Sequence, residues 1–234
     1  MIQVQAIILA AGKGSRFNNL TKTIPKCLFT IGNTTILDRQ IDILIENGID
    51  DILVITGYES NLIQKHLNQK NVKIVKNKKY NIFDNLYSFW CAKNFIKTDF
   101  ICIYGDLIFD KNLFSEFIKI KDNCLIIDNP VHQFDSHSVN IKNNLIQNID
   151  FNHNDHISNG QFIGISKFNE SSLKLLKKSL NNFNNYGNLD GEFVRLIKYL
   201  LENNLIIHSF HVNKKIWINV NDKTKLDFAR EKFD

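Results

Sequence analysis

The stretch from Leu9 to Lys26 carries residue types and spacings suited to gripping a polyphosphate. Leu9-Ala10-Ala11-Gly12-Lys13-Gly14-Ser15-Arg16 is a run of small residues interrupted by cations, and Pro25-Lys26 follows it. Small side chains let backbone N–H groups close on phosphate oxygens, and Lys13, Arg16 and Lys26 offer charge-assisted contacts. Two familiar phosphate loops do not fit. A dinucleotide fingerprint needs a third glycine where this chain has Phe17, and the Gly-Lys-Ser/Thr ending of a Walker A loop is absent. Farther on, Gly105-Asp106 follows the apolar run Phe100–Tyr104, at a strand end of the kind where ligands of open α/β sheets collect. Taken alone, that aspartate reads equally as a turn residue. Glu192, in Asp190-Gly191-Glu192-Phe193-Val194, reads on its own as a carboxylate in the first turn of a helix. His132, His137, His153 and His156 fall in one segment, but no spacing fixes them together, and they read as solvated loop histidines.

These residues need a scaffold that ends several strands side by side. Ala6–Leu9 is a continuous apolar run suited to a strand buried on both faces, and a loop from Ala10 to about Phe17 follows it. The helical spacing of Ile36, Leu37, Ile41, Leu44 and Ile45 predicts a helix over Thr35–Asn47, with Gly48 just past its end. Ile52–Ile55, Val72–Val75 and Phe100–Tyr104 read as further strands, with helices at Asn61–Leu67 and about Asn85–Ile96 between them. On the latter helix Asn85, Ser88 and Ala92 share one face, while Leu86, Phe89 and Trp90 point to the core. Asn85 and Ser88 thus stand on the face away from the core; Asn85 alone reads equally as a helix cap. Alternating strands and helices imply an α/β fold, a doubly wound, mostly parallel sheet with right-handed crossovers. Around Val139–Ile165 short strands with Asn-rich turns predict a small antiparallel segment over one edge. Helices at about Glu170–Leu180 and Leu189–Leu201, strands at Leu205–Ile207 and Ile216–Ile218, and a helix after Asp222 complete the order.

Bulk composition narrows the function classes. The chain has 234 residues, 44% of them hydrophobic, only 2 prolines, and a formal net charge of +5. Those values describe one folded domain over residues 1–234 whose charge suits an anionic ligand. The lysines are scattered, which argues against nucleic acid. No apolar run approaches the roughly 18 residues that a membrane span needs, and the N-terminus lacks a signal-peptide pattern. Cys27, Cys91, Cys102 and Cys124 lie far apart without a CxxC pair, fitting a reduced, cytoplasmic protein.

The loop as a whole is more telling than its parts. Leu9 to Arg16 followed by Pro25-Lys26 resembles the Leu-Ala-Ala-Gly-x-Gly-Ser/Thr-Arg … Pro-Lys pattern of the nucleotidyltransferase superfamily, seen in sugar-phosphate nucleotidyltransferases and phosphocholine cytidylyltransferases. The resemblance implies a Rossmann-like fold whose nucleotide-binding part covers about residues 1–130, the acceptor side covering about 131–234. It implies that Leu9, Ala10, Ala11, Gly12, Gly14 and Ser15 hold a nucleoside triphosphate, and that Arg16 and Lys26 act on its phosphates. Lys13 stands at a variable position of the pattern. Asn77-Lys78-Lys79-Tyr80 with Asp84-Asn85-Leu86-Tyr87-Ser88-Phe89 resembles a segment of the bacterial phosphocholine and aminoethylphosphonate cytidylyltransferases. That similarity adds Tyr80, Asn85 and Ser88 to the nucleotide site and favours CTP with a small phosphorylated acceptor. It also makes Gly105-Asp106 part of that site, Asp106 being a ligand of a catalytic Mg²⁺. The second metal ligand of the family comes from a late Ile-Asp-Val-Asp segment, which here reads Ile218-Asn219-Val220-Asn221, placing Asn219 in that role. An amide oxygen can still coordinate Mg²⁺, which needs few protein carboxylates. Glu192 sits in a Gly-Glu-Phe-Val stretch similar to one in the phosphocholine branch, which would turn it toward the acceptor. Trp90, Trp217 and the phenylalanines could cage a quaternary ammonium; most read more simply as core.

The reaction implied is in-line attack of the acceptor phosphate on the α-phosphorus, expelling pyrophosphate. A phosphate monoester is largely dianionic at neutral pH, so positioning and charge neutralisation carry the catalysis. Rival readings are a nucleotidyltransferase acting on a sugar 1-phosphate and, because of Asn219, a catalytically silent nucleotide-binding relative.

Overall fold

The computed structural model describes residues 4–17, 23–129, 137–150, 158–185 and 187–233. Its parallel half consists of β1 (Gln5–Ala10), β4 (Asp51–Thr56), β5 (Lys73–Lys76) and β6 (Phe100–Tyr104), ordered β5-β4-β1-β6. All six residues of β1 are buried, as a strand covered on both faces requires. Successive side chains of a strand point to opposite faces. Ile7 and Leu9 accordingly join the core under α3 (Asn85–Cys91) and α6 (Val194–Glu202), which includes Leu86, Phe89, Leu196 and Leu200. Ala6, Ile8 and Ala10 join the opposite core, with Leu37 and Ile41 of α1 (Ile36–Glu46), Ile63 of α2 (Ser60–His66) and Phe114 of α4 (Lys111–Phe117). The register pairs Leu9 with both Ile55 and Tyr104, so the loops after β1, β4 and β6 leave the sheet at one level.

The other half is antiparallel apart from one pair. β11 (Gly160–Phe168) runs antiparallel to β6 and β8 (Cys124–Asp128), and β12 (His208–His211) continues from β8 in parallel. β10 (Leu145–Asp150) pairs with β12 and with β9 (His137–Lys142), and β9 returns to β11, closing a ring of five strands. β11 serves both halves. Ile165–Phe168 pair with β6, whereas Gly160–Phe162 pair with β9, with an irregularity between Phe162 and Ser166. Gly164 lies within that irregularity at φ +103°, with the Tyr104 ring where a Cβ would stand; only glycine takes such a backbone cheaply. Two short ladders complete the sheets: β2 (Thr30–Ile31) with β3 (Thr34–Thr35), and β7 (Leu107–Phe109) antiparallel to β13 (Trp217–Asn219). The remaining helices are α5 (Leu173–Asn185) and α7 (Lys223–Phe233). Among the described residues no helix is long and apolar enough to cross a membrane.

The α/β class and the parallel, helix-flanked β5-β4-β1-β6 half agree with the sequence reading, but the antiparallel part is not a small edge segment. It includes a central nine-residue strand, β11, and the Cys124–Asp128 strand that the sequence reading passed over together with β7 and α4. Every residue of β11 is buried, so it shows no alternation to mark it as antiparallel. Several boundaries also differ. α3 stops at Cys91, not Ile96, because Ala92, Lys93 and Phe95 close tight i→i+3 turns instead of extending the ladder. α6 begins at Val194, not Leu189, because Gly191 at φ +93° bends the chain before it. β12 falls at His208–His211 and not at Leu205–Ile207, leaving Ile206 63% exposed.

Candidate active site

The glycine loop is shaped by contacts from β4 and its own tail. Ala11 O accepts the N–H of Tyr58 at 3.0 Å, tying the loop to the turn after β4. A Cβ on Gly57 in that turn would stand 2.7 Å from Ala11 O and 2.6 Å from the Tyr80 Cβ, so glycine permits this approach. Gly14 takes φ +65° and accepts the Phe17 N–H at 3.1 Å, closing a short 3-10 turn over Ser15–Phe17. Phe17 is buried edge-on against Phe29, with ring centroids 5.0 Å apart. That apolar anchor stands where a dinucleotide loop has glycine. Arg16 is exposed beside it, and the Lys13 ammonium lies 5.9 Å from the Tyr58 ring centroid. Leu9, Ala10, Ala11, Gly12 and Gly14 form one wall of a cleft of about 180 Å³; Tyr80, Asn85 and Ser88 form the wall facing them, and Lys26, Gly105 and Asp106 are also among its lining residues.

Asp106 is held by residues from three directions. The Gly105 N–H donates to Leu9 O at 3.0 Å, and a Cβ on Gly105 would come within 2.7 Å of that oxygen and 2.9 Å of Ala10 Cα. Gln40, buried on α1, donates its Nε2 to Tyr104 O at 2.9 Å and Leu107 O at 2.6 Å, bracing both ends of the turn. From the other side, Val220 N–H donates to Asp106 O at 2.9 Å as the β7–β13 pairing brings Asn219 opposite Leu107. Lys26 Nζ lies 2.5 Å from Asp106 Oδ2 and 2.8 Å from Asn221 Oδ1. Thus Lys26 and Asp106, given separate partners by the sequence reading, form an ion pair. Asn219 Oδ1 is buried and has no hydrogen-bond partner among the described residues. A desolvated carbonyl oxygen of this kind is costly unless something donates to it or coordinates to it. It lines the same lobe as the Asp106 carboxylate, and hard oxygen donors beside a phosphate grip suit Mg²⁺. Among the described residues no group of three or more carboxylate, histidine or cysteine side chains is arranged to hold a metal. A divalent ion here would therefore draw on one carboxylate, amide oxygen and ligand phosphate.

Asn221 was missed by the sequence reading. The signal was present: in an extended stretch alternate residues face the same side, so Asn219 and Asn221 of Asn-Val-Asn arrive together.

A second lobe of about 270 Å³ opens from the first, sharing Lys26, Asn85, Tyr104 and Asp106 and adding Arg16, His137, Glu192 and the two asparagines. Glu192 Oε2 pairs with His137 Nε2 at 2.9 Å. The His137 ring lies against Phe162 (6.2 Å) and meets Tyr104 edge-on (6.3 Å). Burial of the Tyr104 hydroxyl, reinforced by the Glu192 charge, holds that phenol well above the ordinary tyrosine range, so it stays protonated. Burial likewise pushes the Cys27 thiol in the cleft wall up to about 12, removing it as a nucleophile at neutral pH.

The facing helix settles the cap question. Asp84, not Asn85, caps α3, its Oδ1 accepting the Asn85 N–H at 2.7 Å. The Asn85 side chain instead accepts the Phe193 N–H at 2.5 Å. Ser88 Oγ accepts from the buried Asn77 Nδ2 at 3.0 Å. Neither tryptophan lines the cleft: Trp90 stacks on Tyr87 at 5.2 Å, and Trp217 donates Nε1 to Asp128 at 2.7 Å. His137, read from the sequence as a solvated loop histidine, is instead buried at the start of β9 and paired with Glu192; His132, His153 and His156 lie outside the described residues.

Comparison with known proteins places this geometry in context. The sequence pattern of the nucleotidyl transferase family matches residues 5–130. A CTP:phosphoglutamine cytidylyltransferase of Campylobacter jejuni is 34% identical over 131 residues, 53% of this chain and 52% of that one. A choline-phosphate cytidylyltransferase of Haemophilus influenzae is 33% identical over 111 residues, 47% of each chain. The match thus spans about half the length of these relatives. The structure of a CTP:phosphocholine cytidylyltransferase from Streptococcus pneumoniae superposes with a TM-score of 0.85 over 100% of both chains at 22% identity, a likeness of fold.

Proposed function

This chain belongs to the nucleotidyl transferase family, and from that premise we propose that it transfers CMP from CTP to the phosphate or phosphonate of a small, phosphocholine-like acceptor, releasing pyrophosphate. One observation carries the reading. Lys26, Asp106, Asn219 and Asn221 meet where the glycine-loop cleft joins the lobe of Glu192 and His137. That junction is where a triphosphate in one lobe and an acceptor phosphate in the other would touch. CTP and a small phosphorylated acceptor are supported by the similarity to a CTP:phosphoglutamine and a choline-phosphate cytidylyltransferase.

In the proposed reaction an acceptor oxygen forms a bond to the α-phosphorus while the bond to the pyrophosphate oxygen breaks. The acceptor is already dianionic, its second pKa being about 6, so no side chain need remove a proton. Arg16 and Lys26 offset the repulsion between the two anions and the charge of the transition state, the task that dominates phosphoryl-type transfer. Lys26 spends two of its three ammonium donors on Asp106 and Asn221, which leaves the third for a phosphate. Asp106 and Asn219 would hold Mg²⁺, which supplies charge neutralisation on the triphosphate when bound. The walls of the first lobe hold the nucleotide by backbone groups of Leu9 to Gly14, with Tyr80 and Ser88 opposite. Glu192 with His137 faces the acceptor's far end.

The test is pyrophosphate release from each of four nucleoside triphosphates against phosphocholine, aminoethylphosphonate and glucose 1-phosphate, with and without Mg²⁺. CTP with one of the first two should be turned over fastest. Fast turnover only with glucose 1-phosphate would move the chain to the sugar branch. No release in any combination would mark it as a silent nucleotide binder.

A further inference from the structure

The segment carrying Glu192 is suspended from the first turn of α3, on the far wall of the nucleotide lobe. Two hydrogen bonds straddle the glutamate: Leu86 N–H donates to Gly191 O at 3.2 Å, and Phe193 N–H donates to Asn85 Oδ1 at 2.5 Å. The Phe193 ring then packs on Phe89, one turn along the same helix, with centroids 4.5 Å apart, and is fully buried. The start of α3 is itself pinned by the Asp84 cap. On the other side of Glu192, Gly191 adopts φ +93° with the Arg195 side chain beneath it. Between these fixed points the Glu192 carboxylate reaches His137 at 2.9 Å.

We propose that Asn85 is a positioning residue for the acceptor: by taking the Phe193 N–H it sets where Glu192 stands in the second lobe. The proposal rests on the reading of that lobe as the acceptor side. It gives the amide oxygen of Asn85 a task distinct from gripping the nucleotide, although the residue lines both lobes. Of the two straddling bonds, the one from Phe193 uses a side chain, so substitution at position 85 tests it directly. Removing that oxygen leaves the Phe193 N–H without its partner and loosens the C-terminal side of Glu192, which then rests on the Phe193–Phe89 packing and the Arg195 N–H bond to Glu192 O.

The experiment compares wild type with Asn85→Ala, Asn85→Ser and Asn85→Asp. A serine oxygen is too short to reach Phe193, whereas aspartate keeps an acceptor atom in the same place. Amide hydrogen exchange across residues 189–196 is measured without any ligand, CTP affinity by calorimetry, and steady-state kinetics with the best acceptor of the panel above. The Ala and Ser variants should exchange the Phe193 amide at least tenfold faster and raise the acceptor KM about tenfold, the worth of one hydrogen bond. The rise in acceptor KM should exceed any loss of CTP affinity, and Asp should restore protection. Unchanged exchange in both truncations would overturn the clamp. A loss of CTP affinity with the acceptor KM intact would overturn the positioning role in favour of a nucleotide contact. If wild type transfers nothing, the functional reading falls, and the acceptor-positioning role falls with it, whatever the exchange rates show about the clamp.

Discussion

Replacing Asp106 by asparagine separates the two tasks assigned to that carboxylate. Asp106 is the anionic partner of Lys26 at 2.5 Å, with 22% and 14% of the respective side chains exposed. An unscreened Coulomb value at that distance would be several kcal/mol at an effective dielectric of about 20, but desolvation of both ions offsets most of it. Asparagine keeps an oxygen for Lys26, and Asn221 Oδ1 at 2.8 Å stays in place. The net loss of stability should therefore be only about 1 kcal/mol, the difference between a charged and a neutral hydrogen bond, or roughly 2–4 °C in Tm for a chain of this size. Turnover should fall far more, because the Asp106 carboxylate is the anionic group proposed to hold a divalent ion beside the phosphates, Asp84 and Glu192 being the other carboxylates that line that lobe among the described residues. A loss of about 10²–10³ in kcat matches removal of one preorganised electrostatic group. Differential scanning calorimetry and pyrophosphate release at saturating CTP and Mg²⁺ measure the two effects. Kinetics within a factor of five of wild type would refute the metal assignment. A Tm drop above about 10 °C would show that Asp106 is chiefly structural.

Three further outcomes follow from the same geometry. Lys26→Met should cut turnover about 10²-fold yet tighten Mn²⁺ binding to the nucleotide-free protein several-fold, because Asp106 loses its internal cation; unchanged metal affinity in a paramagnetic titration would contradict this. Asn219→Asp should lower the Mg²⁺ concentration giving half-maximal rate about tenfold, equivalent to about 1.4 kcal/mol from one added charge, and an unaltered metal dependence would remove Asn219 from the ion's shell. Gly105→Ala presses a methyl onto the β1 backbone at 2.7–2.9 Å, which should cost about 1–3 kcal/mol and weaken CTP binding; an unchanged melting curve would show that the strand can yield.

What could be read from the chain before its structure was what lies close in sequence. The Ala6–Leu9 run, the α1 stripe and the glycine loop each declare themselves within a few residues, and each is found within one or two residues of its expected place. The bonds that assemble the site are long-range: Lys26 reaches Asp106 across 80 positions and Asn221 across 195, and Asn85 meets Phe193 across 108. No local pattern encodes such pairs, so Lys26 and Asp106 read as separate, whereas Asn221 could have been found beside Asn219 from the Asn-Val-Asn alternation. α4 is a different case. Its Asp110 cap, accepting from the Asn112 N–H at 2.6 Å, is a local start signal that was readable and was not used. β8 escaped for a third reason: a strand buried over nearly its whole length carries no alternation, so its direction and partners are settled by the rest of the sheet; β11, of which Gly160–Ile165 fall in the segment read as antiparallel, hid its length and central place in the same way.

The strand β11 has a last consequence. One end of it is laced to β6 of the parallel half and the other to β9 of the ring, so a single piece of backbone belongs to both halves of the sheet. A splice of that kind stiffens the joint between them, and the loops of the ring can then change in sequence while the loop after β1 keeps its shape.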